Sequence, residues 1–182
     1  MIRMFARFGG KTHAEQEEDG QVEERVRDCS EGSNIEYRIN DGRAAVAKAA
    51  SVQGDVVIPD HIHGAPVVAI GKGAFEGNAD IKSVKLPSTV EILGSAAFKG
   101  CTSLENVELP VDLEVINASA FQGCGKLESV VLPSTLKRLC SYAFDGCKAL
   151  CHLPHRVKGG VSSTSFVTDQ METHLPISLE YI

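Results

Sequence analysis

The chain has 182 residues, 43% hydrophobic and 23% charged, which suits a folded protein with one continuous core. Its formal net charge of −6 argues against a nucleic-acid partner, because phosphate binding needs clustered Lys and Arg. No run of about 18 apolar residues occurs, so no membrane-spanning helix is expected.

Residues 1–8 are apolar, but Arg3 and Arg7 interrupt them. They offer neither the unbroken apolar stretch nor the small-residue cleavage site of a secretory signal, so the expected location is the cytoplasm. Residues 1–34 read as an N-terminal arm, either a short helix or a solvated acidic segment. Thr12 and Glu15 have the spacing of a capping box, and Val22, Val26 and Cys29 are spaced for one helical face, although Gly20 interrupts it. Next, the apolar runs 35–39 and 44–47 flank Asn40-Asp41-Gly42-Arg43. Asp-Gly between two such runs signals a tight hairpin, here read as a cap on the first coil of a repeat array.

From residue 74 the sequence repeats. Ala-Phe occurs at Ala74-Phe75, Ala97-Phe98, Ala120-Phe121 and Ala143-Phe144, each 23 residues after the last. Gly77, Gly100, Gly123 and Gly146 keep the same step, as do Cys101, Cys124 and Cys147, with Asn78 in the first copy. Ile81, Leu104, Leu127 and Leu150 follow, and then Val84, Val107, Val130 and Leu153. Leu86-Pro87, Leu109-Pro110 and Leu132-Pro133 come next, then Val90, Leu113 and Leu136, and finally Leu93, Ile116 and Leu139. Val107 and Leu109, two apart, share one face of a short strand that Pro110 ends, because proline offers no N–H to a ladder. Leu113 and Ile116 turn a second apolar face inward. A single coil cannot bury these side chains, whereas stacked coils bury them against one another. The glycine after each Phe suits a tight turn with positive φ.

The phrase Phe98-x-Gly100-Cys101-x-x-Leu104-x-x-Val107-x-Leu109-Pro110-x-x-Leu113-x-x-Ile116 resembles the BspA-like leucine-rich-repeat family. The resemblance covers about residues 35–154 and reaches upstream through Val56-Val57-Ile58-Pro59, Gly64-Ala65-Pro66-Val67 and Ile70-Gly71. There the step from Ile58 to Leu86 is 28 residues rather than 23, so the first coil holds five extra. The resemblance implies a mainly β leucine-rich-repeat solenoid of about five short-strand coils over 35–160. It further implies a non-catalytic protein-interaction role, host-directed or adhesin-like, with a surface or secreted location. Residues 161–182 alternate in places with period two and are expected to cap the far end.

Chemical sites are few. Cys101, Cys124 and Cys147 share one repeat position and are expected to be buried thiols rather than disulfides. Cys147, Cys151, His152 and His155 are the right elements for zinc but not in a standard spacing, and His61-x-His63 reads as an exposed loop. No G-x-S-x-G, phosphate-cradling glycine loop or H-E-x-x-H occurs, so no catalysis, metal or cofactor is expected.

What remains is the outward side of the strands. One column is Asp55, Ser83, Asn106, Ser129 and His152; the next is Val57, Lys85, Glu108 and Val131; beyond the prolines lie Asp60, Ser88, Val111 and Ser134. These columns vary between copies while the inward positions do not. Val57, Ser83, Lys85, Asn106, Glu108, Ser129 and Val131 are therefore the candidate binding residues, for a protein partner. Five strands at about 4.8 Å by about 12 Å give roughly 300 Å², short of the roughly 800 Å² per partner of a standard interface. Self-association of solenoid ends into a homo-oligomer is the rival role.

Overall fold

The computed structural model describes residues 13–16, 22–28 and 34–150. In chain order the strands are β1 (His13–Gln16), β2 (Val22–Asp28), β3 (Ile35–Asn40), β4 (Arg43–Ala49), β5 (Gly54–Val57) and β6 (His61–Ile62). They continue with β7 (Ala65–Ile70), β8 (Ile81–Lys85), β9 (Ile92–Leu93), β10 (Asn106–Glu108), β11 (Val115–Ile116) and β12 (Arg138–Leu139). The β3–β4 connection is a two-residue turn in which Asp41 and Gly42 both take positive φ, 49° and 71°, as the Asp-Gly pair requires.

Each coil has three sides. On the first, β5, β8 and β10 pair in parallel as a small sheet, with Val56 opposite Val84 and Val84 opposite Val107; an isolated bridge from Asn106 to Ser129 carries the pairing into the next coil. On the second side, β7, β9, β11 and β12 pair in parallel as part of a long sheet ordered β1-β2-β3-β4-β7-β9-β11-β12. The third side is a ladder of turns: the amides of Phe75, Phe98 and Phe121 donate to the carbonyls of Ala97, Ala120 and Ala143, and the amides of Gly77, Gly100 and Gly123 to those of Lys99, Gln122 and Asp145. Backbone groups on all three sides are therefore satisfied by the neighbouring coil, which is what lets so short a coil bury its main chain. The result is a solenoid of about four turns; the fifth expected coil falls beyond residue 150, outside the described residues.

The core is a set of columns running along the stack. Phe75, Phe98, Phe121 and Phe144 stack ring on ring, with centroids 4.9, 5.3 and 5.2 Å apart and interplanar angles of 12°, 4° and 4°. Beside them run Ile81, Leu104, Leu127 and Leu150, all buried. The five extra residues of the first coil form the β6–β7 hairpin, turned at His63 and Gly64 with φ of 49° and 84°.

At the N-terminal end the cap is larger than the expected hairpin. β3 and β4 are joined by β2 and β1, all antiparallel, and β4 pairs in parallel with β7. Thus Val26, Tyr37, Val46, Ile70, Leu93, Ile116 and Leu139 form one buried row across seven strands. The helix weighed for the arm is not what forms at 22–28. A four-residue spacing such as that of Val22 and Val26 in the sequence suits a strand as well as a helix, and the edge of β3 supplies the strand's partner. The expected C-terminal cap at 161–182, the capping box at Thr12 and the position of Cys29 lie outside the described residues.

Candidate interaction surface

The small sheet sets its inward and outward residues by the period of two. Val56, Val84, Val107 and Val130 point into the core, which leaves the residues on either side of each to face outward. Register then aligns them between coils: Asp55 with Ser83, Ser83 with Asn106, and Asn106 with Ser129 in one column; Val57 with Lys85 and Lys85 with Glu108 in the next, where Val131 continues the row. All seven residues expected from the sequence thus fall on one surface.

Its chemistry is mixed and internally balanced. Lys85 Nζ lies 3.1 Å from Glu108 Oε2, so the central charges pair within the chain, both well exposed. The Ser83 hydroxyl donates to Asp55 Oδ1 at 2.6 Å. On either side of the ion pair stand exposed valines: Val57 is 67% and Val131 73% accessible, and Val111, on the rim past Pro110, 70%. Of the five large apolar side chains exposed among the described residues, these three belong to this face or its rim.

The second pair of exposed apolar residues was not singled out from the sequence. Ile92 faces outward from the long sheet, opposite Ala69 on one side and Val115 on the other, and Tyr142 stands on a turn. The signal for Ile92 lay in the residue just before each inward Leu or Ile of the second pair. Charged residues border that row too, with ion pairs Arg43–Glu91 at 2.8 Å and Lys137–Glu114 at 2.7 Å.

The thiols are structural. Cys101, Cys124 and Cys147 are free and buried, and each donates to the carbonyl of a Phe one coil back, Phe75, Phe98 and Phe121, at 3.1 Å. Asn78 fills the same position in the first copy, donating from Nδ2 to Val52 O at 2.8 Å. Burial pushes the Cys101 thiol up to about 12, against a smaller opposing effect of the Asn78 backbone hydrogen bond. Cys124 is pushed up by its neighbour Cys147 and by burial, so neither supplies a thiolate. Among the described residues no group of three or more His, Cys, Asp or Glu side chains is gathered for a metal ion. Of the zinc candidates Cys147 is committed to Phe121, and Cys151, His152 and His155 lie outside the described residues. His61 Nδ1 sits 3.5 Å from Asp60 Oδ2 on the exposed β6–β7 hairpin.

Comparison with known proteins agrees with this geometry. The family model for the BspA type leucine rich repeat region matches residues 68–165 in six copies. A leucine rich repeat protein of T. pallidum superposes with a TM-score of 0.62 at 33% identity, over 64% of this chain and 55% of that one. Leucine-rich repeat proteins of Bacteroides ovatus (TM-score 0.57, 32% identity, 62% of this chain and 31% of that one) and Bacteroides capillosus (0.58, 29%, 65% and 91%) are similar as well. The chain thus spans only part of the length of the first two. No curated protein matches it. The chain belongs to the BspA-type leucine-rich-repeat family.

Proposed function

We propose that this protein is a non-catalytic interaction module that docks a protein partner on the outward face of the small sheet. The observation behind the proposal is the contrast within each strand. Inward positions repeat Val or Leu from coil to coil, while the outward column changes from Val57 through Lys85 and Glu108 to Val131 with no role in the core. A repeat fold of this kind offers a surface rather than a pocket in which catalytic groups converge. The rival reading, assembly through solenoid ends, meets an obstacle at the N-terminal end, where β1–β4 occupy the edge of the long sheet on which another coil would stack.

Location belongs to the same proposal. Resemblance to BspA-like proteins favours a host-directed contact at the cell surface, and a cytoplasmic location is the rival. Protease treatment of intact cells separates the two, since only a surface protein is digested. For the face itself, Lys85, Glu108 and Val131 are replaced together by Ala, Ala and Ser. The variant should unfold within about 0.5 kcal/mol of the wild type, as exposed substitutions do. It should lose the partner that the wild type captures from host lysate. A variant that folds and still captures that partner shows the site to be elsewhere.

A further inference from the structure

The outward columns of the small sheet are self-complementary. From the first coil to the fourth the central column runs Val57, Lys85, Glu108, Val131. Reversing it returns valine to valine and exchanges lysine with glutamate. A two-fold axis parallel to the strands, between β8 and β10, therefore brings each Val57 against Val131 of a second copy and each Lys85 against the second copy's Glu108. The same operation sets Asp55 against Ser129 and Ser83 against Asn106 in the neighbouring column. Beyond the prolines it sets Asp60 against Ser134 and Ser88 against Val111. No like charges meet in any of the three columns, despite a chain net charge of −6.

The geometry points to a homodimer joined face to face through the small sheets, a second copy of this chain being the occupant of the surface. This rests on the reading of the same face as a docking surface. Closed two-fold association uses one patch twice, so the patch must complement itself, and a palindrome of apolar, positive, negative and apolar residues does so. Within one chain Lys85 and Glu108 already stand 3.1 Å apart. In the dimer the two pairs close a ring of four alternating charges, each with an opposite charge on two sides. The exposed valines at the ends of the column are covered at the same time. The cap does not enter the small sheet, since the strands β1–β4 pair within the long one. The area, roughly 300 Å² per copy against the roughly 800 Å² of a standard interface, makes the association weak and quickly reversible.

Sedimentation equilibrium at low salt tests this with the intact chain. The wild type should dimerise with a dissociation constant of roughly 0.1–1 mM. Lys85→Glu alone and Glu108→Lys alone each place like charges opposite one another, and each should weaken the dimer at least about tenfold. An equimolar mixture of the two variants should recover association, because one copy then carries two carboxylates and the other two ammonium groups. The intrachain pair is broken in both variants, so recovery on mixing arises only across an interface. Val131→Ser, which leaves all charges in place, should also weaken the dimer, and circular dichroism confirms that each variant is folded. Three results overturn the proposal: a wild type still monomeric at about 2 mM, a dimer indifferent to these changes, or a mixture no stronger than its components. A monomeric wild type leaves the docking of a different protein standing, since that is decided by the triple variant and its captured partner.

Discussion

Each of the first three coils gives one strand to each sheet, and the fourth adds β12 to the long sheet and an isolated bridge at Ser129 to the small one, yet the two sheets serve different ends. The long sheet is prolonged by four antiparallel strands, and its inner row from Val26 to Leu139 is continuous through the cap. The small sheet has three strands among the described residues, and its outward side and rim carry three of the most exposed apolar side chains. Stability is thus concentrated where the chain is closed, and the uncommitted surface lies where it is not. The stacked phenylalanines stand between and support both. Phe121→Ala should therefore cost about 3–5 kcal/mol, like other large-to-small core changes. Its ring is held between Phe98 and Phe144 at 5.3 and 5.2 Å. A denaturant titration showing a loss below about 1 kcal/mol would break the view that one core serves both sheets.

The corner that leaves the long sheet is tighter than the corner on the turn side. A Cβ at Gly94 would lie 2.6 Å from the Gly71 carbonyl carbon and 2.7 Å from the Lys72 amide, whereas at Gly123 the nearest atoms are 3.8 Å away. In later coils Asn117 and Cys140 occupy the Gly94 position, and the Asn117 side chain donates to Leu93 O at 2.8 Å. The tight corner is therefore confined to the coils next to the cap. Gly94→Ala should force backbone apart and cost about 1–3 kcal/mol. Faster hydrogen exchange should appear at β4, β7 and β9 before the small sheet. Equal loosening of both sheets would show that the corner does not set them apart.

A smaller effect reads out the thiol ladder. Because the folded Cys101 thiol is held at about 12, above the ordinary thiol value, the folded chain keeps a proton that the unfolded chain loses. Its contribution is intact below about pH 8.5 and is lost as pH rises towards the folded value, so stability falls over that alkaline range. Cys101→Ala should flatten the fall while lowering stability at pH 7. Denaturation midpoints between pH 7 and pH 10 check the slope, and an unchanged slope in the variant would assign it to other groups.

Much of this was legible because stacking forces identical solutions on identical positions. Phe75, Phe98, Phe121 and Phe144 must fit one another, so the 23-residue step is written plainly in the sequence. The outward columns followed from the alternation around Val84 and Val107. Less was legible where a residue's partner lies far along the chain. Strands as short as Ile92–Leu93 carry no pattern of their own and exist only because β7 and β11 flank them. Val22–Asp28 was ambiguous for the related reason that its strand character comes from β3.

The turns hold a last contrast that the sequence concealed. Each turn enters and leaves through a residue of positive φ. The exit is Gly77, Gly100, Gly123 or Gly146, with φ of 72–76°, and glycine marks it in every copy. The entrance is Gly73 at 61°, but then Ala96, Ser119 and Tyr142 at 56°, 57° and 59°. A side chain in this region sets Cβ against the following carbonyl, at a cost of about 1–2 kcal/mol relative to glycine's freedom there. Replacing Ala96 by glycine removes that strain but adds disorder to the unfolded chain, which offsets part of the gain. The same exchange at Gly100 runs the other way, since alanine there gains strain with no compensating contact; its Cβ would approach only the Gly77 backbone at 3.7 Å. Ala96→Gly should therefore stabilise by up to about 1 kcal/mol and Gly100→Ala destabilise by about 1 kcal/mol. Paired melts of the two variants give the sign directly. If Ala96→Gly lowers the melting temperature, the entrance is held by packing of its methyl group, and the two ends of the turn differ in more than the residues that occupy them.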